Sequence, residues 1–197
     1  MKNALETTER SSISFLDKSL IVLSFIPVVF SILRLKIVQS IGYVVFLLGG
    51  IFPELHEKIV SQQIPQNVKT LLRVHIIAHS LFGQFLGFYD LIPFLDKGLH
   101  FMGSLLGVIL FYFIVSTDSK FWEGETRKKR AVFLSFLLAN FAGIIWEIAE
   151  FISDKLFKLG AQKGLEDTMF DLIFNLLGAY LGGRLLIKTQ RGLIHGK

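Results

Sequence analysis

Six stretches of the chain, about residues 15 to 33, 37 to 55, 69 to 89, 97 to 117, 129 to 154 and 167 to 187, approach the roughly 20 apolar residues that cross a lipid bilayer. In hydrocarbon a backbone must satisfy its own hydrogen bonds, so such runs read as membrane helices and the chain as an all-α polytopic bundle of about six. Composition agrees: 52% of the 197 residues are apolar and 20 are Phe, and the mean hydropathy is +0.56, far from a soluble domain. The first two runs are the weakest. Only Arg34 and Lys36 separate them and Pro27 interrupts the first, which predicts a kinked or tilted hairpin.

Charge placement predicts the topology. Lys and Arg total 21, and all but Arg34, Lys36, Lys97, Lys155, Lys158 and Lys163 fall at the N-terminus, after the second and fourth spans, or at the C-terminus. The positive-inside rule then places both termini in the cytoplasm, with Arg127 to Arg130 as the strongest anchor. The net charge of +5 is explained by topology and calls for no nucleic acid. Lys2 is followed by Glu6 and Glu9 and the apolar run starts only after Lys18, so no cleavable signal is expected. The absence of cysteine excludes disulfides, thiolate catalysis and zinc–thiolate sites. The expected organisation is a single membrane domain: a helical hairpin over 1–66, a four-helix core over 67–188 carrying polar groups, and a cytoplasmic tail over 189–197.

The polar groups are the unexpected part. The uncharged tract AVFLSFLLANFAGIIW runs straight into IIWEIAEFISD, which brings Glu147, Glu150 and Asp154 into a membrane helix. At about 100° per residue these share one face with Asn140 and Gly143. In the sixth span Asp167, Asp171, Asn175, Gly178 and Gly182 line up likewise, in the fourth His100, Ser104 and Gly107, and in the third His75, His79 and Gly83. Small residues let helices approach and polar side chains avoid lipid, so these four faces are expected to meet. A bare carboxylate at membrane depth costs several kcal/mol (on the order of 3), so each acid is expected to find a histidine, a metal or a proton. By helical rise the set opens toward the extracytoplasmic leaflet, with His75 too deep to join it.

Bland readings stand beside these. Asp154 sits at the expected water boundary. Asp167 starts a helix and can serve its dipole, and Asn175 can be an interhelical hydrogen bond. His75 and His79 have the i, i+4 spacing of a helical metal pair without a third ligand. His56 and His195 read as loop residues, Trp146 as packing or a belt aromatic, and Tyr89 and Asp90 as a rim.

The segments LRVHIIAHSLFGQFLGFYD, FLDKGLHFMGS, WEIAEF and GAQKGLEDTMFDLIFNLLGAYLG, within roughly residues 70 to 183, resemble the YjdF-like bacterial inner membrane proteins. The resemblance implies a multi-pass protein of the bacterial cytoplasmic membrane and supports the same residues, without implying a substrate. Asp96, Lys97, His100, Phe101, Glu147, Asp171, Asn175, Gly178 and Gly182 are also similar to a VanZ-like pattern. That family often has Gln where this chain has Glu150, and its P-G-R stretch is missing here. VanZ membership would imply a role in glycopeptide resistance.

The expected site therefore combines His79, His100, Glu147 and Asp171 as ligands of a divalent ion such as Zn, Mn or Fe, with Glu147, Glu150 and Asp171 as acid/base candidates. His75, Tyr89, Asp96, Asp167 and Asn175 are further candidates. Without a metal the same groups make an acid/base centre. The functional expectation is an enzyme acting on a lipid or isoprenoid-linked envelope substrate. A small proton- or cation-coupled transporter or flippase is the alternative, and a structural or assembly protein the second. Expected partners are membrane lipids, a lipid-linked substrate and a second copy of the chain.

Overall fold

The computed structural model describes residues 13–60, 62–116 and 127–195, with side chains from 128 and as far as 188 in the last segment. Lys2, Arg10, Lys120 and Lys197, which entered the topology count, lie outside the described residues, as do the side chains of Arg127, Arg191 and His195. The protein is a helical membrane bundle. Its elements are α1 (Phe15–Leu33), α2 (Ile37–Val60), α3 (Gln66–Ile77) continuing as a π-helical segment (Ala78–Phe85), α4 (Phe88–Leu91), α5 (Leu95–Val115), α6 (Arg127–Phe157) and α7 (Leu165–His195). Among the described residues, α1, α2, α5, α6 and α7 are each long and apolar enough to cross a membrane.

Local chemistry explains several boundaries. Ser14 caps α1 by accepting the Asp17 backbone N–H at 3.1 Å. The same helix ends in a Schellman motif, with the Lys36 N–H on the Ser31 carbonyl and the Leu35 N–H on that of Ile32. Leucine occupies the left-handed position, φ 56°, that glycine usually takes. α6 and α7 are 31 residues each, longer than the apolar runs, and in α6 the added RKKR flank consists of good helix formers. His56 is not a loop residue: it is buried inside α2. His195 likewise belongs to the last turn of α7.

The third apolar run departs most from expectation. It is 12 residues of α-helix followed by 8 of π-helix, then a break at Gly87 (φ 76°) before α4. The wider turn places His79, Ser80, Leu81 and Gly83 all toward the interior, more than a regular α-helix of this length would bury on one face.

Packing falls into two groups. Val28, Tyr43 and Leu47 form one apolar core between α1 and α2, and Leu20, Ile77 and Leu81 another between α1 and the α3–π helix. Val108, Ala139 and Ala179 form the core of α5, α6 and α7. The α3–π helix joins the groups by packing on α1, α2 and α5. α7 lies on α5 more extensively than any other pair, and the reason is close approach: a Cβ on Gly178 would collide with the Phe101 carbonyl, and one on Gly182 with that of Leu105. This is the small-residue seam of membrane helices. Large apolar side chains such as Phe15, Leu33, Ile59, Phe133 and Phe141 point outward, where a bilayer would receive them.

The connections define two ends. At one, the starts of α1, α3 and α6 meet the ends of α2, α5 and α7, and Gln62 donates to Ser116 at 3.3 Å. At the other, the α1–α2 turn, the end of the π-helical segment, α4 and the start of α5 meet the α6–α7 loop, whose Lys163 donates to the Tyr89 carbonyl at 3.2 Å. Asp154, in the last turn of α6, holds this loop by accepting the backbone N–H groups of Ala161 at 2.8 Å and Gln162 at 2.7 Å. It is therefore a loop anchor.

Candidate functional site

The first turns of α5 and α7 and the last third of α6 bring charged residues together at that second end. Asp96, Lys97 and His100 come from α5, Glu147 from α6, and Asp167 and Asp171 from α7. Lys97 is the hub. Its ammonium pairs with Asp167, with Asp96 at 3.2 Å and with Asp171 at 3.0 Å. His100 lies deeper, at 7% exposure, with Glu147 at 5% and Asp171 at 1%.

The His100 ring has an unusual surrounding. Its Nε2 stands 3.6 Å from a carboxylate oxygen of each of Asp96, Glu147 and Asp171. That is beyond hydrogen-bond distance, and Nε2, both Glu147 oxygens and Asp171 Oδ1 have no hydrogen-bond partner. Asp171 Oδ1 is within ion-pair distance of Lys97 but outside hydrogen-bond geometry. Four carboxylates thus face one ammonium and one imidazole. Even with His100 protonated, the ionised cluster keeps an excess of negative charge, which a low-dielectric setting penalises. Asp96, His100 and Asp171 each offer one ligand atom within 4.8 Å of the others, a spacing that can hold a metal ion.

The remaining residues singled out in the sequence take other places. His79 stands apart from the ligand group, packed among the rings of Phe46 (4.6 Å between centroids), Trp146 (5.1 Å), Tyr89 (5.5 Å) and His75 (6.3 Å). Glu147 flanks the group through its contact with His100. His75 packs on α5 one turn deeper than His100: its Nε2 lies 2.8 Å from where a Cβ on Gly103 would be, and it is outside the Asp96, His100 and Asp171 group. Glu150 accepts the Trp146 indole N–H at 3.0 Å, so Trp146 is both packing and a partner for an acid. Asn175 accepts from Ser104 at 2.8 Å, the interhelical hydrogen bond between α7 and α5, and leaves its own Nδ2 unpartnered beside Gly143. Tyr89 folds inward over Gly83, with its hydroxyl unpartnered. Asp90 is exposed at the rim, 3.8 Å from Lys163.

A second charged network was missed in the sequence. At the opposite end Asp17 of α1, fully buried, accepts from Ser14, Gln66, Thr70 at 2.9 Å and Arg73 at 2.6 Å. Arg73 also donates to Glu54 and, at 3.1 Å, to the Gly50 carbonyl. Lys69 bonds both oxygens of Glu57 at 3.1 Å, and Glu57 accepts the Ile64 N–H at 2.7 Å. The signal was one acid near the start of the first span, two near the end of the second and two cations at the start of the third.

A family described as predicted membrane protein (DUF2238) matches residues 16–191. The chain belongs to DUF2238. The matched range takes in both charged networks of this DUF2238 protein, from Asp17 to Asp171. It is also similar to an uncharacterised protein of Thermotoga maritima, 47% identical over 178 residues that cover 90% of this chain and 91% of the relative. No solved structure matches.

Proposed function

We propose that the α5–α6–α7 cluster binds a divalent cation through Asp96, His100 and Asp171, with Glu147 beside them, and acts on a lipid or isoprenoid-linked envelope substrate. One observation carries this reading: His100 Nε2 is 3.6 Å from three separate carboxylate oxygens and hydrogen-bonded to none. Around a tetrahedral ion with bonds of about 2.0–2.2 Å, neighbouring donors stand about 3.3–3.6 Å apart. The donor set of one imidazole and carboxylates suits Zn, Mn or Fe.

Such an ion, when bound, supplies Lewis-acid polarisation of a phosphoryl or carbonyl oxygen and an activated water. The chain supplies the rest. Lys97 holds the carboxylates of Asp96, Asp167 and Asp171 in register, and Glu150, oriented by Trp146, is the candidate base. We place the cluster on the extracytoplasmic side of a bacterial cytoplasmic membrane, with six spans, both termini inside and α3 with its π-helical segment as the sixth span. We also read the family as the YjdF-like proteins. The VanZ-like motif residues gather at the cluster and the α5–α7 seam, which supports a shared layout rather than a shared substrate.

Elemental analysis of detergent-purified protein tests the site. About one divalent ion per chain is expected, lost in His100→Ala and Asp171→Asn and retained in His79→Ala. Equal metal content in wild type and His100→Ala overturns the assignment. The unpartnered carboxylates and imidazole of this same cluster favour a second reading, cation- or proton-coupled transport. Ion-dependent flux in proteoliposomes with no bound metal would select it.

A further inference from the structure

Outside both charged networks, a cavity of about 90 Å³ opens beside the α1–α2 turn, lined by Ser31, Arg34, Lys36, Gln39, Tyr43 and Gln84, with Phe85 beside them. Its chemistry is one-sided. Two cations and two side-chain amides face it, and none of its lining residues is acidic. Among the described residues neither Arg34 nor Lys36 forms an ion pair, while Lys69, Arg73 and Lys97 all do. Its polar back wall is built. Ser31, 3% exposed, accepts from Ser40 at 2.8 Å and donates to the Val28 carbonyl at 2.9 Å, and Tyr43 is 6% exposed. The Schellman turn at Leu35 sets Arg34 and Lys36 on either side of one residue held in the left-handed region.

The surroundings are apolar. Leu33, Leu35 and Ile37, which alternate with the two cations, are 73%, 84% and 70% exposed, and Phe82 and Leu86 lie outward next to Gln84. The turn joins two membrane-crossing helices, so it sits where headgroups meet hydrocarbon. Unpaired cations there, with amides between them and apolar surface around them, match a phosphate group that carries an acyl or isoprenyl chain.

We infer that this cavity is a phosphate-binding site, held by Arg34 and Lys36 with Gln39 and Gln84, taking the headgroup phosphate of an anionic lipid or a free phosphate. It is independent of the cation site: it uses α1, α2 and the π-helical segment, whereas the cluster uses α5, α6 and α7. The two lie at the same end of the bundle.

Thermal unfolding of the full chain in detergent tests it, with added phosphatidylglycerol, phosphatidylcholine or inorganic phosphate. Arg34→Gln/Lys36→Gln is compared with Lys155→Gln/Lys158→Gln, which removes two exposed cations at the same end. Phosphatidylglycerol is expected to raise the midpoint by a few degrees in wild type and in the second variant, and to have no effect on the first. A rise with phosphatidylglycerol alone assigns a lipid phosphate, and a comparable rise with inorganic phosphate a soluble one. A rise that survives in Arg34→Gln/Lys36→Gln, an equal loss in both variants, or no rise with either phosphate source overturns the site. None of these outcomes depends on metal content, so failure here leaves the cation site standing, and the reverse.

Discussion

The two charged networks both hold more carboxylates than cations and differ in how completely those groups are paired. Around Arg73, the guanidinium is matched by Asp17, Glu54 and a carbonyl, and Asp17 has four donors. Around His100, buried polar atoms on three residues have no hydrogen-bond partner. A network whose strong groups are nearly all paired is a clamp, and it ties α1, α2 and α3 together. One whose buried oxygens and ring nitrogen lack partners fits the cation proposed for it. Burial alone does not separate the two cases. Satisfaction of hydrogen bonds does.

The sharpest way to break this comparison is Arg73→Met. It removes the one cation paired with Asp17 and leaves Glu54 with Lys69 alone at 3.8 Å, and breaking a buried pair costs about 3–5 kcal/mol. Unfolding in detergent should show a loss of that size with metal content per folded chain unchanged. If the variant is as stable as wild type, the clamp reading is wrong.

Next in size is Gly178→Ala. The added methyl meets the Phe101 carbonyl, so α7 must move away from α5, at about 1–3 kcal/mol for overpacking. Because His100 adjoins Phe101 on α5 and Asp171 lies about two turns before Gly178 on α7, metal binding should weaken along with stability. A stability loss with unaltered metal affinity would separate the seam from the site.

The smallest effect is expected from Glu147→Gln in metal-free protein. Neither Glu147 oxygen has a hydrogen bond to lose, so the variant should unfold within about 1 kcal/mol of wild type, on the stable side if anything. A loss beyond about 2 kcal/mol would show that Glu147 is structurally paired, and the contrast with the clamp would shrink.

Much of this was legible in the chain. The first span, about 15 to 33, coincides with α1 because nothing but apolarity and a Ser14 cap defines it. The α6 and α7 carboxylates emerged from helical periodicity, since regular helices preserve a 100° step. His79 faces the interior as expected, among the rings of Phe46, His75, Tyr89 and Trp146 and outside the Asp96, His100 and Asp171 group. The clamp stayed hidden. A lone acid or base near the end of an apolar run looks the same whether it reaches water or a partner, and only the packing of α1, α2 and α3 shows that Asp17, Glu54 and Arg73 meet. Lys97 was read as a motif residue, and its role as hub depends on α7 lying against α5.

That contact between α5 and α7 also decides what can change at the site. Backbone rests on backbone at Gly178 and Gly182, with no side chain between them to be traded for a longer or shorter one. The gap across which Asp96, Lys97 and His100 look at Asp167 and Asp171 is thus gauged by two hydrogen atoms. Substitutions among those five change the groups that face one another, while the spacing of the two backbones stays the same.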